Sequence, residues 1–279
     1  MKKVLLFFFI LPIVCNAQPF MDLASVYYQY SAADRPVNNN TVYTNLASFS
    51  LTVPLKKDSD YFIINPVYEN FKMIFPATFV TRDFHVAYMP LTWLHRWDEK
   101  WKTAFVFIPK ISSDINDGLN RHDFQFGGAV VNTYQKKENL KFKFGLYYNS
   151  EFFNHYFLPL LGIDWNINSK WNVFGMLPSS MTIEYKFRKS MHAGIMYRAI
   201  TSSYRYNDFN FIRVSDHHLK LFLDFYVTKT QVVTIEAGHS FLRNYRSGFR
   251  NGGKPDYYGM NVTDGYVFKI GYAYRLRRD

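Results

Sequence analysis

The stretch Tyr266-Val-Phe-Lys-Ile-Gly-Tyr-Ala-Tyr-Arg-Leu276 decides the fold class. Tyr266, Phe268, Ile270, Tyr272, Tyr274 and Leu276 alternate with Val267, Lys269, Gly271, Ala273 and Arg275. Successive side chains of an extended chain point to opposite faces, so this period of two predicts a strand with a large apolar face and a small or charged one. Leu140, Phe142, Phe144, Leu146 and Tyr148 repeat the pattern against Lys141, Lys143, Gly145 and Tyr147. Leu219, Leu221, Leu223, Phe225 and Val227 do so against Lys220 and Asp224, and Val233, Ile235, Ala237 and Phe241 against Glu236 and Gly238. About a dozen segments alternate in this way, and none carries a helical stripe longer than a turn or two.

The connections between these segments come in two kinds that take turns along the chain. Short polar turns are expected at residues 56–59, 97–100, 136–139, 168–170, 188–190 and 228–230. Mostly longer loops are expected at about 31–40, 71–81, 114–121, 153–157, 178–180, 205–210 and 246–263. Six turns and seven loops join fourteen strands, with twelve to sixteen as the bracket. Short turns on one side and longer loops on the other predict an all-β, up-and-down transmembrane barrel of the bacterial outer membrane. An even strand count returns both termini to the periplasmic side.

A soluble sandwich with one dry and one solvated face is the alternative. Two features favour the membrane. Aromatic residues sit near strand ends, among them Tyr27, Tyr28, Tyr30, Trp93, Trp97, Trp101, Trp165 and Trp171, as interfacial girdles require. Charges also lie opposite the large apolar residues, which suits a wet lumen. Pro54, Pro66, Pro90 and Pro109 resist the pattern, because a closed barrel has no edge strand for a proline, and they are expected at rims or bulges.

Composition narrows the class further. The 279 residues include 28 Phe, 22 Tyr, 5 Trp and one Cys, with 33 Lys+Arg against 22 Asp+Glu. These values exclude disordered, collagenous and disulfide-rich proteins. Lys2 and Lys3, an apolar run from Val4 to Val14 and Cys15-Asn16-Ala17 read as a secretory signal peptide spanning residues 1–17, leaving a barrel domain over 18–279. At about 1.5 Å per residue the apolar run covers roughly half of a bilayer core of about 30 Å, too little for an anchor. Acylation on Cys15 is the competing reading. The formal net charge of +11 favours lipopolysaccharide phosphates, anionic headgroups or anionic solutes as partners over nucleic acid.

Motifs for chemistry are weak. Gly248-Phe-Arg-Asn-Gly-Gly-Lys254 fits the frame of a phosphate-binding loop, but Pro255 replaces the required Ser or Thr and no helix pattern follows, so no nucleotide is expected. Ser215 and His217 share one strand face and form the best candidate for an interfacial acyl hydrolase or transferase, whereas adjacent His239 and Ser240 point apart. No histidine pattern suggests zinc. No catalytic residue, metal or cofactor is therefore assigned.

The inward face is more informative. If the large apolar residues meet lipid, then Lys141, Lys143, Lys186, Arg198, Lys220, Lys269 and Arg275 line the lumen with Glu184, Asp224 and Glu236. Either they make a pore or pocket for small anionic solutes, or they pair and fill a narrow, non-conducting barrel. Arg246, Arg250, Lys254, Tyr257 and Tyr258 form a basic aromatic surface-loop candidate: either it folds inward as a plug or meets surface phosphates, or it is a solvated loop without a ligand.

The run Pro159-Leu-Leu-Gly-Ile-Asp-Trp-Asn-Ile-Asn-Ser-Lys-Trp171, followed by Leu177-Pro178 and the hairpin through Tyr185 and Gly194, resembles uncharacterised outer-membrane β-barrel families of Gram-negative bacteria described as domains of unknown function. The resemblance implies a barrel and brings no activity. Such barrels end on an aromatic residue read by the barrel-insertion machinery; here Tyr274 or Leu276 would serve. The expected partners are that machinery, outer-membrane lipid and lipopolysaccharide, and the expected state is a monomer exported by the general secretory pathway.

Overall fold

A computed structural model describes residues 19–33, 42–116, 118–119, 121–206, 210–249, 255–260 and 262–277. Its fourteen antiparallel strands close on themselves. They are β1 (Phe20–Ala33), β2 (Tyr43–Leu51 continued by Val53–Lys57), β3 (Asp60–Ile64 and Val67–Phe75), β4 (Val80–Tyr88 and Leu91–Arg96), β5 (Trp101–Ser113), β6 (Phe124–Lys137) and β7 (Leu140–Ser150). The second half comprises β8 (His155–Asn166), β9 (Trp171–Leu177), β10 (Ser180–Arg188), β11 (Met191–Arg205), β12 (Asn210–Tyr226), β13 (Gln231–Phe249) and β14 (Gly265–Arg277). Closure is made by β1 and β14, paired from Phe20 opposite Arg277 to Ala33 opposite Gly265. Closure gives every strand a partner on both sides for at least part of its length, so no edge strand is left, which is what lipid demands of a sheet.

The six short turns fall where the alternation stops, and the remaining connections gather at the other end. Two expected loops are shorter than the sequence suggests. Residues 71–81 are mostly strand, with only a 3-10 turn at Pro76–Thr78 between β3 and β4. Residues 246–263 begin with the end of β13, and Asp256–Gly259 pairs along it. The signal peptide expected at residues 1–17, together with Arg250 and Lys254, lies outside the described residues.

Large apolar side chains of the alternating segments face outward. Phe268, Ile270, Leu219, Leu221 and Ile235 are about half exposed or more and form the lipid-facing wall. All five tryptophans lie toward the turn side: Trp93 packs on Phe105 at 5.2 Å, Trp101 on Tyr134 at 4.8 Å and Trp171 on Tyr185 at 4.7 Å. Aromatic rings are amphipathic enough to mark a headgroup boundary.

Three of the four prolines mark a seam across neighbouring strands. Pro66 and Pro90 interrupt β3 and β4, and Pro109 stands in β5 beside them. Each serves only as an acceptor at this line: Leu51 N–H donates to Pro66 O at 3.0 Å, Asn65 N–H to Pro90 O at 3.0 Å and Met89 N–H to Pro109 O at 3.1 Å. The missing donors are thus collected in one line where strands break together, rather than scattered through intact ladders.

The barrel lumen as candidate site

On the turn side, the inner wall is an ion-pair network. Arg275 Nε donates to Asp22 at 2.6 Å and its Nη1 to Asp224 at 2.7 Å, while Thr234 donates to Asp224 at 2.5 Å. Glu236 sits between Lys269, at 2.8 Å, and Lys220. Lys220 crosses the strand beside Gly238 to get there: a Cβ at Gly238 would lie 2.6 Å from Lys220 Cα. Glu184 receives Arg277 and, at 2.6 Å, the amide of Asn172, with His192 at 3.5 Å. Lys143 pairs with Asp164 at 2.7 Å. Lys141 and Lys186 are partly buried on the same inner face. Buried charges require such partners, because desolvation of a lone charge costs several kcal/mol.

The loop-side half is built differently. Three consecutive residues of β11, Ser203, Tyr204 and Arg205, are buried, so both faces of the strand are covered. A wall strand facing lipid would expose alternate residues. Instead the end of β11 leans across the mouth. Tyr204 stacks on Phe71 of β3 at 4.8 Å and packs on Phe84 of β4 at 5.1 Å. Ser112 of β5 donates to Ser203 O at 2.8 Å, and Asp114 N–H to Arg205 O at 3.0 Å. Buried Glu151 accepts from Ser203 N–H at 2.8 Å, Asn149 at 2.7 Å, and Gln125 and Lys110 at 3.2 Å each. Val42, Met73, Val86, Ile212, Val214 and Tyr245 complete an apolar cluster around Tyr204.

This cluster was not expected from the sequence, although β3 and β4 carry its signal. There the pattern inverts: Phe71, Met73, Phe84 and Val86 point inward, while Lys72 and Asp83 pair at 2.8 Å with about 40% exposure each on the outside. Charges on the outer face place this hairpin end beyond the hydrocarbon, so apolar packing moves to the inner face. The inversion also explains why residues 71–81 read as a loop.

Between network and cluster lies a cavity of about 290 Å³, lined by Tyr27, Glu69, Tyr88, Lys110, Tyr147 and Arg198 among others. A second cavity of about 260 Å³ toward the turns shares Tyr27, Arg198 and Lys269 with it. The first reaches Ser179 and Ala199, where the wall is low: β9 and β10 end at residues 178–179, so residues 155–160 of β8 have no β9 neighbour and β11 beyond Arg198 has no β10 neighbour. A larger concavity of about 770 Å³, between Phe62, Trp93, Phe107 and Val130, lies on the outer wall and is part of the lipid-facing surface.

The other candidates separate. Ser215 and His217 share no hydrogen bond; His217 Nδ1 lies 2.8 Å from Tyr197 Oη instead. Arg246 donates to Asn244 at 3.0 Å and lies 5.8 Å from the Tyr257 ring centroid, while Tyr257 and Tyr258 sit on the short strand beside β13. Among the described residues no group of three or more His, Cys, Asp or Glu side chains could hold a metal ion.

The model of a family described as a domain of unknown function, DUF6268, matches residues 24–252. No curated protein matches significantly. Among solved structures, an outer-membrane channel from Pseudomonas putida F1 is similar over 91% of this chain and 94% of its own, with 9% identity and a TM-score of 0.52. The P. putida toluene transporter TodX is similar over 92% and 91%, with 9% identity and a TM-score of 0.46. The NanC porin is similar over 91% and 100%, with 9% identity and a TM-score of 0.41.

Proposed function

The protein belongs to the DUF6268 family, and from that premise we propose that its barrel lies in the outer membrane and admits or binds small solutes bearing an anionic group. Arg198 carries this reading. Lumen cations such as Lys143, Lys220, Lys269 and Arg275 are held by carboxylates, whereas Arg198 lines both cavities with no hydrogen bond or ion pair among the described residues. A guanidinium that faces the lumen with no carboxylate within ion-pair distance among the described residues attracts anions and presents a planar fork suited to a carboxylate. In this reading residues 1–17 direct export through the general secretory pathway. The insertion machinery then assembles residues 18–279, as a monomer, among lipid and lipopolysaccharide.

The test is single-channel conductance of the refolded chain in planar bilayers, with its anion/cation permeability ratio. Steps with anion preference are expected, and Arg198→Gln should reduce the preference without removing the steps. A second reading has its own observation: β11 leaning over the mouth favours a non-conducting, surface-binding or structural barrel. A folded, heat-modifiable barrel that shows no steps and binds no solute would decide for it.

A further inference from the structure

The mid-lumen cavity holds charges of both signs, and their pairing is uneven. Lys110 is engaged by Glu151 at 3.2 Å and Ser202 at 2.8 Å, and Lys269 by Glu236 at 2.8 Å. That leaves Arg198 on β11 and Glu69 on β3, across the lumen from each other. Glu69 accepts hydrogen bonds from Tyr27 Oη and Tyr88 Oη, both at 3.3 Å and both on Oε1. Its Oε2 has no partner among the described residues, and no ion pair within 4.0 Å joins it to Arg198. Two tyrosine hydroxyls therefore orient the carboxylate while its second oxygen stays available to the cavity.

We infer that this cavity is a binding site for a small amphipathic zwitterion, with its carboxylate on Arg198 and its ammonium on Glu69. The inference rests on the reading of the lumen as a solute site and deepens it by naming the solute class. A purely anionic solute would meet Arg198 but also the field of Glu69; a zwitterion satisfies both charges at once. The rest of the lining suits an apolar body: Leu46, Val86, Ile108 and Ile200 are aliphatic, and the ring of Tyr147 adds an aromatic wall. At about 30 Å³ per liquid water, the cavity holds on the order of ten waters, room for a solute of amino-acid size. The carboxyl end of a β-lined lumen solute would thus face β11 and its amino end β3.

Three probes isolate the two charges on one skeleton: L-phenylalanine has both, 3-phenylpropionate lacks the ammonium and phenethylamine lacks the carboxylate. Binding of each to the refolded barrel in detergent is measured by calorimetry at neutral pH, with planar-bilayer conductance recorded on the same preparation. A charge-assisted hydrogen bond is worth roughly tenfold or more in affinity, so phenylalanine should bind at least about tenfold tighter than either analogue. Glu69→Gln should erase its advantage over 3-phenylpropionate, and Arg198→Gln its advantage over phenethylamine. Neither change strips a charge from a buried ion pair, and heat-modifiable mobility confirms that each variant is folded. Equal binding of phenylalanine and 3-phenylpropionate, unaffected by Glu69→Gln, would overturn the zwitterion site and leave an anion site standing. Equal binding of phenethylamine would overturn it as well. Conducting barrels that bind none of the three overturn the inference alone; barrels that neither conduct nor bind overturn the solute reading with it.

Discussion

Lys220 and Arg198 show how similar residues on one inner face take different roles. Glu236 is 2% exposed and held between two lysines, so its removal strands Lys220, itself 2% exposed. Breaking a buried pair from one side costs about 3–5 kcal/mol, whereas replacing both partners with apolar groups is often neutral. Glu236→Ala should therefore lower the unfolding free energy of the refolded barrel, read from urea titration, by that amount, and Glu236→Leu combined with Lys220→Met should recover most of it. Gly238→Ala probes the same contact from the backbone. Its Cβ would meet Leu219 O at 2.1 Å and Lys220 Cα at 2.6 Å, neither of which can swing away. A loss of about 1–3 kcal/mol is expected, read as a lower melting point of the compact form in gel-shift assays. The charges of Lys141, Lys143, Lys186, Lys220 and Arg198 are equivalent in a sequence pattern; only their partners distinguish a structural cation from one left for a ligand.

At the scale of elements, the loop-side ends of β3, β4 and β11 act as a small soluble core set on top of a membrane barrel. Phe71, Phe84 and Tyr204 come from opposite walls and meet over the lumen. Truncating a buried aromatic typically costs about 3–5 kcal/mol, and Tyr204→Ala should release the leaning end of β11 without touching the lipid-facing wall. Larger or more frequent conductance steps in this variant are the expected result; unchanged conductance would mean that β11 does not bar the passage. The short hairpin of β9 and β10 belongs to the same arrangement, since it leaves β11 without a β10 neighbour beyond Arg198, while β12 stays paired to it as far as Arg205.

For the whole molecule, the boundary with lipid is set by residues rather than by length. Trp93, Trp97, Trp101, Trp165 and Trp171 all lie toward the turns, so they should occupy one headgroup region. Tryptophan fluorescence of the barrel in bilayers should be quenched strongly by lipids brominated near the headgroup and weakly by lipids brominated at the chain ends. Uniform quenching at all depths would contradict this placement.

Alternation of large apolar with small or charged residues is a local property, because a strand's side-chain period depends only on its own backbone. It determined the six turns, the barrel class and most of the strands and lipid-facing residues directly from the chain, but not the ends of β3 and β4, where the pattern inverts. The prolines at 66, 90 and 109 were legible as disruptions but not as one seam, since a seam exists only once three strands are in register. Which lumen charges pair was likewise decided by tertiary structure: Asp22 meets Arg275 across 253 residues through closure of β1 on β14, and Glu184 meets Arg277 across 93. The lean of β11 over the mouth, and with it the cavity that Arg198 and Glu69 both line, follows from contacts between opposite walls. No single strand carries that information, because curvature, closure and register are properties of the assembled sheet.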